Sequence, residues 1–196
     1  LRERRPQCVV VATHAVSHCE FVLQAAEAGA SHIFCEKPMA VDMPGLQRVR
    51  AAAKMSKEKK LALVSGFCWR HHDAMRAVFG KIHEGAIGDI ISVHTTYHTG
   101  TLSPHPRKPE WTDLEFQMRN WWHFSWLSGD HIVEQAIHSI DRLAWAMNGK
   151  MLERAIALGG RQARKGPESG HVFDHFAVIY YYPNNVTLSF CSKQVG

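Results

Sequence analysis

The sequence has no cysteine framework. Its five cysteines, at positions 8, 19, 35, 68 and 191, are odd in number and form no C-x-x-C pair. Free thiols are therefore expected rather than a disulfide scaffold. No apolar run approaches the roughly 18 residues of a membrane span, and there is no internal repeat or low-complexity tract. Neither a G-x-G-x-x-G turn nor a P-loop occurs. Charge of one sign is also scarce: 23 Lys+Arg stand against 18 Asp+Glu, a net charge of +5. Basic residues cluster only at Arg2, Arg4, Arg5 and at Lys54, Lys57, Lys59, Lys60. The second cluster reads as a solvated helix end that suits the helix dipole. No nucleic-acid-binding motif accompanies it. Membrane, fibrous and disordered classes are excluded, and no nucleic-acid or membrane partner is expected.

What is present is an ordinary globular composition, 45% hydrophobic and 21% charged over 196 residues, enough to bury a core without staples. The chain starts Leu1-Arg-Glu without an initiator Met and ends just after a strand-like run, Val186–Cys191. An internal portion of a longer protein is expected. No targeting segment is readable, so the compartment, cytoplasmic or exported, stays open.

Cys8–Ala12, His32–Cys35 and Leu61–Phe67 are short, continuous apolar runs, as in strands covered on both faces. Helices are expected between them, His18–Ala28 stopped by Gly29, and Pro44 to about Ser56 with Leu46, Val49 and Ala53 inward. Alternation of this kind implies βαβ units and a parallel sheet. After Phe67 the pattern changes. His72–Glu84 reads as a helix with Met75, Val78, Phe79 and Ile82 inward. Asp89–Tyr97 alternates through Ile91, Val93, Thr95 and Tyr97, as in a half-exposed antiparallel strand. A Pro-rich loop precedes a long helix over Asp130–Met147. Strands are expected at Arg154–Gly160, Phe173–Tyr182 and Val186–Cys191, with Pro183-Asn-Asn turning between the last two. The boundary between the two patterns falls near residue 67.

Three constellations could carry chemistry. Glu36-Lys37-Pro38 sits at the carboxyl end of a parallel strand, where open α/β sheets bind ligands. There a lysine can hold a hydroxyl or carbonyl oxygen and a carboxylate can bond a ribose; a surface turn with a charge pair is the other reading. Asp130, Glu134 and His138 recur every four residues on one face of an otherwise apolar helix. A carboxylate one turn before an imidazole can orient it as a general base; a capped helix start with a core histidine is the alternative. Trp111, Phe116, Trp121, Trp122, Phe124 and Trp126, interleaved with Arg119, Asn120 and His123, could stack on sugar rings or fill a loop core. His14 and His18 are four apart, but no third ligand is evident and the chain has 14 histidines, so no metal is expected.

Taken in order, Val9-Val-Val-Ala-Thr-His14 with His18, Glu36-Lys37-Pro38, and the segment ending His138-Ser-Ile-Asp141 resemble the Gfo/Idh/MocA oxidoreductases. Gly66-Phe-Cys-Trp-Arg70 and Gly85-Ala-Ile-Gly-Asp89 look like that family's entry into its second domain. The stretch from Asn120 to His138 resembles a subgroup among bacterial proteins with export leaders. The resemblance implies an α/β fold. Residues 1–67 would be the C-terminal half of a dinucleotide-binding Rossmann domain. Residues 68–196 would be an incomplete α/β substrate and oligomerisation domain with a large, mostly antiparallel open sheet. It implies an enzyme using NAD or NADP that moves a hydride to or from a secondary alcohol of a sugar, cyclitol or related polyol. It also implies a homo-oligomer, dimer or tetramer. A redox-neutral NAD-dependent glycosidase or lyase, and a non-catalytic sugar-binding relative, are the alternatives.

By the same resemblance Lys37, His138 and Glu134 are catalytic. Thr13, His14, His18, Glu36, Lys37, Trp69 and Arg70 meet the cofactor. Asp130, Asn120, Trp121, Trp122 and Trp126 meet the substrate. Glu134 stands where the family usually has Asp, and His14 where it has proline. The glycine-rich turn and acidic residue that grip the dinucleotide are not in this sequence.

Overall fold

Three apolar runs pair as a parallel sheet in a computed structural model that describes residues 1, 3, 4 and 6–195. Arg2 and Arg5 of the N-terminal basic cluster, and Gly196, lie outside the described residues. The chain divides into two compact units. The first joins Leu1–Gly66 to His105–Glu134; the second joins Phe67–Pro104 to the residues from Gln135 on.

In the first unit, β1 (Cys8–Val11), β2 (His32–Cys35) and β3 (Ala62–Ser65) lie in the order β1-β2-β3, all parallel. Alternate side chains define the core: Val11, Ile33 and Cys35 are buried, with Val9, Leu61 and Leu63 packed beside them. Against them lie Val22, Ala25 and Ala26 of α1 (Ala15–Glu27) and Ala52 of α2 (Met43–Glu58). Each fully buried Val or Ile is worth about 1.5–3 kcal/mol. Strands covered on both faces were expected. Instead Val10 is 65% and Val64 42% exposed, so among the described residues helices cover one face.

Helix α1 starts three residues before the expected His18 and passes into Gly29 at φ +77°, the left-handed region. Helix α2 is capped by Asp42, whose carboxylate accepts from the Gly45 N–H at 2.7 Å, a contact worth about 1 kcal/mol. Its buried stripe is Gly45, Ala52 and Ser56; the expected Leu46 and Ala53 are exposed. Small residues win because the two helices approach closely: a Cβ on Gly45 would lie 3.2 Å from the Cys19 sulfur.

The second unit holds a mixed sheet of β4 (Ser92–Thr99), β5 (Arg154–Gly160), β6 (His175–Tyr182) and β7 (Val186–Gln194), in the order β4-β7-β6-β5. Pairs β5–β6 and β6–β7 are antiparallel. The expected antiparallel β4 pairs parallel with β7, because its neighbour is the last strand of the chain rather than an adjacent hairpin arm. The expected turn is present, with Asn184 and Asn185 at φ +63° and +60°, which asparagine tolerates. Helix α3 (Asp73–His83) buries Phe79, while the expected inward Val78 is 55% exposed. Ile91, expected to face in, is 78% exposed and precedes the strand. All five cysteines are free. No helix of the described residues is long and apolar enough to cross a membrane.

The expected long helix over Asp130–Met147 is two helices, α6 (His131–Glu134) and α7 (Ile137–Ala146). At the break the His138 N–H donates to the Gln135 carbonyl at 3.3 Å, a tighter turn than the α pattern. The sequence also gave no sign of α4 (Asp113–Arg119) or α5 (Ser125–Ser128) beyond a local one for the first. Thr112 and Glu115 have capping-box spacing, and the Thr112 hydroxyl accepts from the Glu115 N–H at 3.1 Å.

Candidate active site

The carboxyl ends of β1, β2 and β3 bring Thr13 and His14, then Glu36, Lys37 and Pro38, then Gly66 to one edge of the first unit. His18, 2% exposed, fastens this edge. One ring nitrogen lies 2.9 Å from the Thr13 carbonyl oxygen and the other 2.8 Å from that of Pro38. Both nitrogens thus lie against backbone carbonyls, and His18, expected to meet the cofactor, ties the two loops of this edge together. The Lys37–Pro38 peptide bond is cis. Glu36 lies directly over Gly66, where a Cβ would fall 2.7 Å from a carboxylate oxygen; only glycine leaves Glu36 its place. The Thr13 and Ser17 hydroxyls are 2.8 Å apart, and exposed.

Lys37 reaches Glu134. Its ammonium donates to the Glu134 carboxylate at 2.8 Å and to the Glu134 backbone carbonyl. The two side chains are only 18% and 15% exposed. An ion pair this shielded is less screened than a surface one, and the carboxylate holds the ammonium in place. Asp130 does not share a helix face with Glu134 and His138, as the four-residue spacing suggested. It sits before α6 at φ +73°, and its carboxylate accepts from the His131 N–H at 2.6 Å. His131 itself, 2% exposed, lies 3.2 Å from the same carboxylate; the sequence reading passed over it. Gly129 allows this corner: it has φ +75°, and a Cβ would strike Val133 at 2.8 Å.

Asn120 was expected to meet substrate. It is fully buried and clamps the Pro-rich loop to α4. Its side-chain oxygen accepts from the His105 N–H at 2.7 Å, and its amide donates to the His105 and Phe116 carbonyls. Trp121 meets His14 edge-on at 5.9 Å between centroids, and Trp122 meets His105 at 5.5 Å. Trp126 is 44% exposed and donates to Gln117.

In the second unit, Trp69 and Arg70 lie in the turn Cys68–His71. Arg70 grips Asp141 through two nitrogens at 2.8–3.0 Å and lies over the Trp145 ring. Arg142 lies over Trp69 at 5.2 Å. His138 stands in the first turn of α7, edge-on to Phe67 at 6.4 Å. Among the described residues no group of three His, Cys, Asp or Glu could hold a metal ion.

A parallel sheet with polar residues gathered at its carboxyl edge is the arrangement of dinucleotide-type α/β folds. Comparison with known proteins sharpens this. Residues 1–66 match the family described as "Oxidoreductase family, NAD-binding Rossmann fold", and residues 75–195 match "GFO/IDH/MocA C-terminal domain". The chain belongs to the GFO/IDH/MocA oxidoreductase family.

It is 27% identical to 2,7-anhydro-N-acetylneuraminate hydratase of Escherichia coli K12, over 90% of this chain and 43% of that protein. It is 30% identical to inositol 2-dehydrogenase of Pseudomonas fluorescens SBW25, over 72% of this chain and 35% of that protein. Among solved structures, levoglucosan dehydrogenase in complex with NADH and levoglucosan superposes with a TM-score of 0.75 at 26% identity, over 97% of this chain and 48% of the other. Aldose-aldose oxidoreductase from Caulobacter crescentus, at TM-score 0.76 and 23% identity over 96% and 51%, shares the fold. The chain spans less than half the length of these curated relatives.

Proposed function

We propose that the protein is an NAD(P)-dependent oxidoreductase moving a hydride between nicotinamide and a secondary alcohol of a sugar, cyclitol or related polyol. The observation that carries the reading is Lys37, held by Glu134 at 2.8 Å on the carboxyl edge of the parallel sheet. The donor set there suits the nicotinamide ribose: the Glu36 carboxylate can accept from its hydroxyls, and Gly66 leaves the carboxylate room. Thr13, exposed on the same edge, offers a hydroxyl. NAD(P), when bound, supplies the hydride acceptor. The inositol dehydrogenase and levoglucosan dehydrogenase relatives support a sugar or cyclitol as substrate.

In this reading the Lys37 ammonium holds the substrate oxygen and stabilises the negative charge that grows on it as the carbon gives up hydride. Glu134 keeps the ammonium in place. His138 takes the hydroxyl proton, leaving a carbonyl. The active protein is a homo-oligomer, dimer or tetramer.

The test has two parts. Denaturing the purified protein and weighing the released small molecules should give NAD(H) or NADP(H), or the protein should bind one of them when it is added. Replacing Lys37 with Met should lower kcat by about 100- to 1,000-fold with cofactor binding kept. Near-parental turnover in that variant would end the assignment. A second reading is favoured by the hydratase relative: transient oxidation by a retained cofactor, followed by elimination or hydration. It would show as product formed without net NADH.

A further inference from the structure

Beside the sheet edge, within the first unit, lies a cavity of about 650 Å³; it shares His14 and Trp121 with the expected cofactor and substrate residues, while its cations, Lys108 and Arg119, have no role in the reaction above. Its walls include His14, His105, Lys108, Trp111, Arg119 and Trp121. The volume is that of a small-molecule site. Two permanent cations, Lys108 and Arg119, face a single carboxylate, Glu115, which is already bonded to Arg119 at 2.9 Å. The excess is positive, and the two histidines add ring nitrogens for hydroxyl groups.

The walls are built rather than incidental. Arg119 lies over the Trp111 ring at 4.7 Å and Lys108 over the same ring at 5.5 Å. Both cations thus pack against this indole. Trp121 also lines the cavity, set against His14. Buried Asn120 pins His105, and with it the loop that carries Lys108. Little ordering remains to be done on binding. The Nε and one terminal nitrogen of Arg119 already meet Glu115, at 3.0 and 2.9 Å; its other terminal nitrogen can donate to an oxygen of a carboxylate or phosphate, while indole walls suit the C–H faces of a sugar ring.

We propose that this cavity binds a monosaccharide carrying one negative group, a carboxylate or a phosphate, with Arg119 and Lys108 holding the anion and Trp121 lining the ring. The proposal rests on the carbohydrate reading above only in taking the ligand to be a sugar. The binding measurement needs no turnover, so failure of either can be told from failure of the other.

The test is a titration of the purified protein, without added cofactor, with D-glucuronate, glucose 6-phosphate and neutral D-glucose, followed by ligand-observed NMR. At least one charged sugar should bind tenfold or more tightly than glucose, and which one does identifies the anion. Arg119→Gln should remove that preference while leaving weak glucose binding unchanged, and Lys108→Gln should reduce it. Both positions are exposed, so the variants should keep the parental melting temperature. Trp121→Ala should weaken both classes of sugar. Equal binding of all three sugars, or an unchanged preference in Arg119→Gln, would overturn the proposal. So would displacement of the charged sugar by an equal concentration of inorganic phosphate, which would reduce the cavity to general anion attraction.

Discussion

Lys37 holds Glu134 at two points, by its carboxylate and by its backbone carbonyl. In a continuous helix that carbonyl would accept from the amide four residues on. Here His138 donates to Gln135 instead. Glu134→Gln keeps the shape but removes the charge, so the ammonium should lose its electrostatic anchor while retaining the carbonyl. We expect kcat to fall about 10- to 100-fold with KM changed much less. Steady-state kinetics with a turned-over polyol checks this. A rise in KM alone would place Glu134 in substrate binding.

His18 is the keystone of the sheet edge, with both ring nitrogens on backbone carbonyls from separate loops. Replacing it with Phe fills similar space and leaves the carbonyl oxygen that accepts the ring N–H without that partner. A cost of about 1–3 kcal/mol is expected, read as a lowered urea midpoint. Because the two loops carry Thr13 and Lys37, cofactor affinity should fall in step. Unchanged stability would mean that water replaces the ring.

The parallel strands were legible because they depend on local chemistry. Short continuous apolar runs marked β1–β3, and Glu36-Lys37-Pro38 follows a strand in sequence as in space. The helix break was not legible. Ile132, Val133, Ile137 and Ile140 keep an unbroken apolar rhythm through it, and the residue that takes the Glu134 carbonyl is 97 positions away. The direction of β4 was hidden for a similar reason. Alternation reports a half-buried face whichever way the neighbour runs, and the neighbour is β7. Asn120 looked like a ligand group because its type says polar; only packing reveals that its partners are backbone groups of the adjoining loop and helix.

Four of the five thiols should react in two groups, with the half-buried Cys191 between them. Burial, with Glu36 and Cys19 adding to it, pushes the Cys35 thiol up to about 12, so at pH 8 almost none is thiolate. Cys19 is buried as well, whereas Cys8 and Cys68 are exposed. Iodoacetamide at pH 8 should label Cys8 and Cys68 first and reach Cys19 and Cys35 only in denaturant. Peptide mass mapping over time reads the order. Early labelling of Cys35 would mean that the core around β2 opens readily.

Asp174, 1% exposed, should give the fold an acid-sensitive component. One carboxylate oxygen accepts from the N–H groups of Gln162, Ala163 and Arg164, at 2.7, 2.7 and 3.1 Å. The other lies 2.7 Å from a ring nitrogen of His175. Burial alone would raise its pKa, but these hydrogen bonds outweigh it and hold the carboxyl well below its ordinary 3.8. The native state therefore takes up the proton less readily than the unfolded chain. The stabilisation is complete above the ordinary carboxylate range and is lost as pH falls through it toward the lower native value. Asp174→Asn should cost about 2–3 kcal/mol at pH 7, and the gap to the parent should narrow steadily below pH 4. Urea unfolding at intervals from pH 7 to pH 3 measures both. Parallel curves for the two proteins would show that Asp174 is not the group that acid releases.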